Sequence, residues 1–289
     1  MSLFDAYMMV DWSARSKPSP AKPVGDAIYV AFGSKSEAPK TRYYRTRVTA
    51  AAAMQTLFNQ CHDRGERLLA GFDFPFGYPK GFARGIGGAD SVFSVWKELA
   101  TRIEDNEENA NNRFDVAADL NRMFDGVGPF WGRPNDPAVP DLPSKGTARQ
   151  GTNHPPERRV VETHVKSAQP CWKLYTTGSV GSQALLGIPI LQAFRKAGPH
   201  IRVWPFEDVS AAPVVLAEIY PSLFDGAVKL LQKQMPGVAK DALQVAAAVQ
   251  YYADADKAGI LENMLAVPAA QPQADQITNE EGWILGVTP

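Results

Sequence analysis

Three apolar runs in this chain each close on an acid: Tyr7-Met8-Met9-Val10-Asp11, Leu68-Leu69-Ala70-Gly71-Phe72-Asp73 and Val214-Val215-Leu216-Ala217-Glu218. Short continuous apolar runs read as buried strands. A carboxylate at the end of such a strand is costly unless a cation, a hydrogen-bond network or a proton compensates it. A fourth acid opens a helix at Lys240-Asp241-Ala242-Leu243. Four such groups meeting at one edge of a sheet would form a hard-cation site.

Composition narrows the class. The chain has 289 residues, 45% hydrophobic, with a net charge of -1, which argues against a protein that coats nucleic acid through a basic surface. Local contact with a few phosphates stays open. The two cysteines, Cys61 and Cys171, lie far apart, which speaks against a disulfide framework and for a reducing compartment. His62, His154, His164 and His200 show no zinc-ligand spacing. The N-terminus has Asp5 and no basic stretch before a long apolar core, so no signal peptide is expected. No apolar stretch approaches the roughly 20 residues of a membrane helix. The expectation is a soluble, cytoplasmic protein without membrane contact; the oligomeric state is left open.

The order of elements predicts a mixed α/β sheet. Strands are expected over 5–11, 27–32 and 42–48, then an alanine-rich helix capped by Thr49 and running to about Arg64, then a strand over 67–73. Phe74-Pro75-Phe76-Gly77-Tyr78-Pro79 is a rigid turn, because each proline fixes φ and discourages helix before it. Helices are expected near 91–104 and 109–124, a long loop over 132–156, and a helix over 182–196 interrupted by Pro189. The core pattern resumes at 214–219, with helices over 224–234 and 241–258 and a last strand over 283–287. This gives a five-stranded mixed sheet flanked by helices, built from 1–75 and 214–289, with 76–213 as a mostly helical and loop insertion packed on that core.

Asp11, Asp73 and Glu218 all fall at expected carboxyl ends of strands, where open α/β sheets gather their ligands. If the strands are parallel neighbours, the three converge. Oxygen ligands suit Mg2+ or Mn2+, and two such ions about 3.5–4 Å apart can activate water and stabilise a leaving oxygen. Each acid also has a structural alternative. Asp11 could bond the amides of Ser13 or Ala14, and Asp73 could mark a strand-ending turn. Glu218 could pair with an arginine, and Asp241 could cap its helix with Gln244 as capping-box partner.

The segments Val10-Asp11-Trp12-Ser13, Gly71-Phe72-Asp73-Phe74-Pro75-Phe76-Gly77, Glu218-Ile219-Tyr220-Pro221 and Asp241-Ala242 resemble an uncharacterised family of predicted nucleases with the ribonuclease H-like fold. The resemblance spans nearly the whole chain through short motifs. It implies metal-binding and catalytic roles for Asp11, Asp73 and Asp241. The further glutamate that some such enzymes carry on the first helix has no counterpart here before Asp63, and Glu218 is the candidate to replace it. The implied activity is divalent-metal-dependent phosphodiester hydrolysis of a nucleic acid or nucleotide. Two alternatives share the core: a phosphotransferase or ATPase of the sugar kinase/actin-like class, and a non-catalytic binding protein.

Two further features stand out. Gly178-Ser179-Val180-Gly181-Ser182-Gln183 precedes a helix, and Gly178, Gly181 and Ser182 are candidate contacts to a phosphate at its N-terminus; a flexible, serine-capped loop is the competing reading. Lys145, Arg149, His154, Arg158, Arg159, His164 and Lys166, flanked by Trp131 and Trp172, form a basic stretch that is either a phosphate-binding arm or a solvated surface.

Overall fold

The computed structural model describes residues 2–135, 139–165, 167–266 and 273–288. Lys166, the end of the expected basic arm, lies outside them. Six strands form one mixed sheet: β1 (Ala6–Asp11), β2 (Ile28–Ser34), β3 (Lys40–Tyr44), β4 (Leu68–Phe72), β5 (Ile201–Val203) and β6 (Val214–Glu218). Their order is β3-β2-β1-β4-β6-β5. β2 is antiparallel to both its neighbours, whereas β1, β4, β6 and β5 are parallel.

Helices cover both faces. On one side lie α1 (Arg47–Asp63), α3 (Val92–Arg102) and α6 (Gly181–Ala197). Met54 and Phe58, Val95 and Trp96, and Leu185 and Ile188 from these helices share a core with Val10, Phe72 and Leu216. On the other side, α8 (Lys240–Lys257) sets Leu243, Val245 and Ala248 against Met9, Leu69 and Ala217. The sequence period of two therefore splits each parallel strand between two cores. Asp256 anchors α8 to the chain start by accepting from Leu3 N (2.7 Å), Phe4 N (2.9 Å) and Tyr7 Oη (2.6 Å).

Several expectations change. The sheet has six strands rather than five: β5 comes from within 76–213, and its three residues around the charged Arg202 carry too little apolar pattern to read as a strand. The expected strand over 283–287 is only a parallel bridge, Ile284 to Glu218; it continues the outer edge of β6 beyond the point where β5 stops. α6 runs through Pro189 without interruption. Thr46, not Thr49, caps α1, its side chain accepting from Thr49 N. α8 begins before Asp241 with Ala239 at its cap position, so Asp241 does not act as an N-cap. α2 (Phe82–Gly87), α4 (Arg113–Asn121), α5 (Val160–His164) and α7 (Asp225–Gln234) complete the larger helices. No helix among the described residues is long and apolar enough to cross a membrane.

Gly71 shows how closely this sheet packs beside its acidic edge. A Cβ there would lie 2.7 Å from Ile219 Cγ2 and also collide with Met9 Sδ on the adjacent strand. Gly71→Ala is expected to destabilise the protein by about 1–3 kcal/mol, the usual cost of overpacking, read as a lower denaturation midpoint at unchanged m-value.

Candidate functional site, a carboxylate cluster beside a cleft

The pairing of β1 with β4 places Val10 opposite Phe72, so the next residues, Asp11 and Asp73, emerge side by side at the carboxyl ends of neighbouring strands. Alternation puts both on the α8 side of the sheet, in line with Met9 and Gly71. The first turn of α8 brings Asp241 to the same place, where its Oδ2 accepts from Asp26 N at 2.7 Å. Asp73 Oδ1 accepts from Trp12 N at 2.7 Å. Asp11 accepts no hydrogen bond from a described residue's side chain, and none of the three acids has an ion-pair partner among the described residues.

Burial and mutual repulsion dominate the electrostatics. Asp11 is raised well above the ordinary carboxylate value, first by desolvation and then by the charges of Asp73, Asp241 and Asp26. Asp73 is pushed up to about 7, chiefly by burial, although the amides of Trp12 and its own residue partly oppose this. Tyr29, directly opposite Asp11 on β2, rises to about 12 through burial and then the charges of Asp241, Tyr43 and Asp11. These groups sense one another in a poorly solvated pocket. With no ion bound, the Asp11–Asp73 pair retains a proton at pH values where an isolated aspartate has lost it.

Asp26 joins the neighbourhood although sequence reasoning passed over it. Its signal was positional: in an antiparallel hairpin the start of β2 lies beside the end of β1, so an acid just ahead of β2 returns to Asp11. Arg15 approaches Asp26 at 3.6 Å. The loop carrying Arg15 is held by Arg47, a buried guanidinium that donates to Ser13 O (3.0 Å) and Arg15 O (2.8 Å) and forks onto Asp105. Gln183 Nε2 donates to Trp12 O at 2.5 Å, tying α6 to the residue whose amide holds Asp73.

Glu218 does not join the cluster. It pairs with Phe72 in the sheet, and so points to the face opposite Asp11 and Asp73. There Arg159 grips both its oxygens, Nη1 to Oε2 at 2.8 Å and Nη2 to Oε1 at 2.7 Å, while Phe76 N donates to Oε2 at 3.0 Å. Arg159 also binds Glu162 Oε1 (2.8 Å) and Glu281 O (3.0 Å). The arginine pairing that competes with a metal role describes the geometry of Glu218. This also removes Arg159 from the expected basic arm. Its neighbours are likewise engaged within the protein: Arg149 pairs with Glu157, Arg158 donates to Ala168 O, and His154 bonds Asp125 O. Trp172 is fully buried.

Of the loop candidates, Gly178 and Ser182 line a cleft of about 620 Å³ together with Arg15, Asp26, Arg113 and Gln183. Gly181 does not line it: a Cβ there would strike the carbonyls of Cys171 and Lys173, so its small size serves backbone packing. The Ser182 hydroxyl is used internally, donating to Leu174 O at 2.6 Å and accepting from Arg113 Nε at 2.9 Å.

Among the described residues, no group of three or more His, Cys, Asp or Glu side chains is placed to hold a metal ion. Asp73 and Asp241 each accept a backbone amide with one oxygen and leave the other free among the described residues. Comparisons with protein-family models, curated proteins and solved structures find no match to this chain.

Two outcomes test this geometry. Because the folded-state value of Asp73 lies near 7 and its ordinary value is 3.8, the native state binds the extra proton between these limits. Stability from this group is complete below about pH 4 and falls as pH rises through 7. Asp73→Asn should therefore raise Tm at pH 8 by roughly 2–4 °C, about 1 kcal/mol for a chain of comparable size, and flatten the decline between about pH 4 and 7. Glu218→Gln should instead destabilise the fold by about 3–5 kcal/mol at neutral pH, because it strips one carboxylate from a buried guanidinium. Equilibrium denaturation of both variants reads the contrast.

Proposed function

We propose that the chain is a divalent-metal-dependent phosphodiester hydrolase with a ribonuclease H-like core, acting on a nucleic acid or nucleotide. The observation that carries this reading is the juxtaposition of Asp11 and Asp73 at adjacent parallel strand ends, with Asp241 over them and no protein cation among the described residues to neutralise the group. The mixed sheet with three antiparallel strands, a helix, a parallel strand, a later parallel strand and then α8 on the acidic face supports it as well, as an α/β arrangement compatible with that fold.

The residues fit a hard cation in kind. They offer oxygen donors only, in a partly desolvated site whose negative charge is uncompensated. Asp11, Asp73 and Asp241 would hold Mg2+ or Mn2+, with the oxygens of Asp11 and the uncommitted oxygens of Asp73 and Asp241 as the available donors. A bound ion of this type supplies an activated water and charge stabilisation of the leaving oxygen. The protein's own part is positional. Trp12 N fixes one oxygen of Asp73, Asp26 N fixes one of Asp241, and the Arg47 and Gln183 contacts immobilise the intervening loop. Glu218 has no role in this chemistry; it holds Arg159 and the turn at Phe76.

Incubation with single-stranded, duplex, hybrid and branched nucleic acids in Mg2+ or Mn2+ is expected to yield chelator-sensitive cleavage. Asp11→Asn and Asp73→Asn should each lower the rate roughly 10²- to 10³-fold, the scale for losing one electrostatic contact in a catalytic site. Undiminished metal-dependent cleavage by a folded Asp73→Asn protein would reject the assignment. Turnover of a nucleoside triphosphate to diphosphate without strand cleavage would move it to the phosphotransferase class.

A further inference from the structure

The cleft beside the carboxylate cluster contains a cation without a counterion. Arg113 opens α4 and is only 7% exposed, yet it forms no ion pair with any described residue. Its guanidinium bonds neutral groups alone: Nε to Ser182 Oγ (2.9 Å), and Nη1 to Ser16 Oγ (2.9 Å) and Asn111 Oδ1 (2.7 Å). Nη2 makes no hydrogen bond to a described residue. A buried charge of this kind is expensive unless paired, and the other buried guanidinia show the usual solution, Arg47 with Asp105 and Arg159 with Glu218.

The same residue lines the cleft at the first turn of α6. No side chain caps that 17-residue helix, and the amides of Ser182 and Gln183 have no acceptor among the described residues. Free amides, the positive end of the helix dipole and an unneutralised guanidinium therefore face one space. The one acid lining that space, Asp26, has Arg15 beside it. Tyr175 lies on the same wall and is 43% exposed, leaving an aromatic ring for stacking.

We propose that this cleft is a phosphate subsite for a nucleoside phosphate, with the phosphate held by Arg113 and the amides of Ser182 and Gln183, and the base placed against Tyr175. It deepens the hydrolase reading by adding the contact that recognises substrate away from the carboxylates. Phosphate binding needs no divalent ion here, so the two readings can fail separately.

Isothermal titration in chelator, at constant ionic strength, tests it with AMP, inorganic phosphate and adenosine. AMP should bind saturably at one site and adenosine should not. Inorganic phosphate should bind more weakly than AMP by roughly tenfold, the scale of one base–aromatic stack. Arg113→Gln should weaken AMP by roughly tenfold or more, as expected for a lost charge-assisted contact. Should that buried substitution impair folding, Thr177→Glu, on the exposed part of the same loop, places a like charge beside the phosphate and should weaken AMP by roughly tenfold as well. Asp73→Asn should leave AMP affinity intact while lowering the cleavage rate roughly 10²- to 10³-fold. Adenosine binding as tightly as AMP, absence of saturable AMP binding, or unchanged AMP affinity in folded Thr177→Glu would each overturn the proposal.

Discussion

A pleated sheet shows alternate residues to opposite sides, and this chain's organisation follows from that rule applied to three parallel strands in register. Val10, Phe72 and Glu218 share one side; Asp11 and Asp73, one residue further along, share the other. The first set is sealed under α1, α3 and α6, where the acid Glu218 survives with a buried cation against it. The second lies at the edge of the α8 layer, where carboxylates meet without such a partner. One step along a strand separates a structural acid from a candidate catalytic one.

Arg159 shows what compensation on the sealed side achieves. A single guanidinium draws together the end of β6 through Glu218, the start of α5 through Glu162 and the C-terminal segment through the carbonyl of Glu281. Glu280 and Glu281 extend the arrangement by accepting amides from Gly81, Ala83, Lys80 and Val160. Buried acids in this region are thus satisfied by cations or backbone donors. Asp11, which accepts no hydrogen bond from a described residue's side chain, and Arg113, which has no ion pair with a described residue, depart from that pattern in opposite senses. They lie on either side of the loop that Arg47 and Gln183 hold in place. Among the described residues, a poorly solvated carboxylate pair and a buried guanidinium without ion-pair partners flank this one loop, which is the physical basis for reading it as a candidate place of function.

The legible parts of the fold were those with a strong local pattern. β1, β2, β4 and β6 are continuous apolar runs, and α1 and α8 are alanine-rich stretches with a periodic apolar face. β5 was not legible, because three residues interrupted by Arg202 carry no distinguishable period and pair only because β6 leaves an edge open. The strand expected at 283–287 failed for the related reason that apolar character specifies burial, not the length of a ladder. Asp26 carries only a positional mark, its place just ahead of β2 in the hairpin, and Arg113 carries no local mark at all: its role arises from segments distant in sequence that α4 and α6 bring together.

The amino-acid sequence by itself determined that acids end three buried strands and that the strands belong to a mixed α/β sheet, because apolar periodicity and the cost of burying a carboxylate are local properties. It left open whether Asp11 and Asp73 meet, which the parallel pairing of β1 with β4 decides. Only the tertiary structure decided that Glu218 belongs to Arg159 rather than to them, that Asp241 answers to Asp26 rather than to its own helix end, and that Arg113 faces the cleft without a counterion. Those outcomes depend on which face of the sheet a side chain reaches and which distant charge waits there, and no local pattern encodes either.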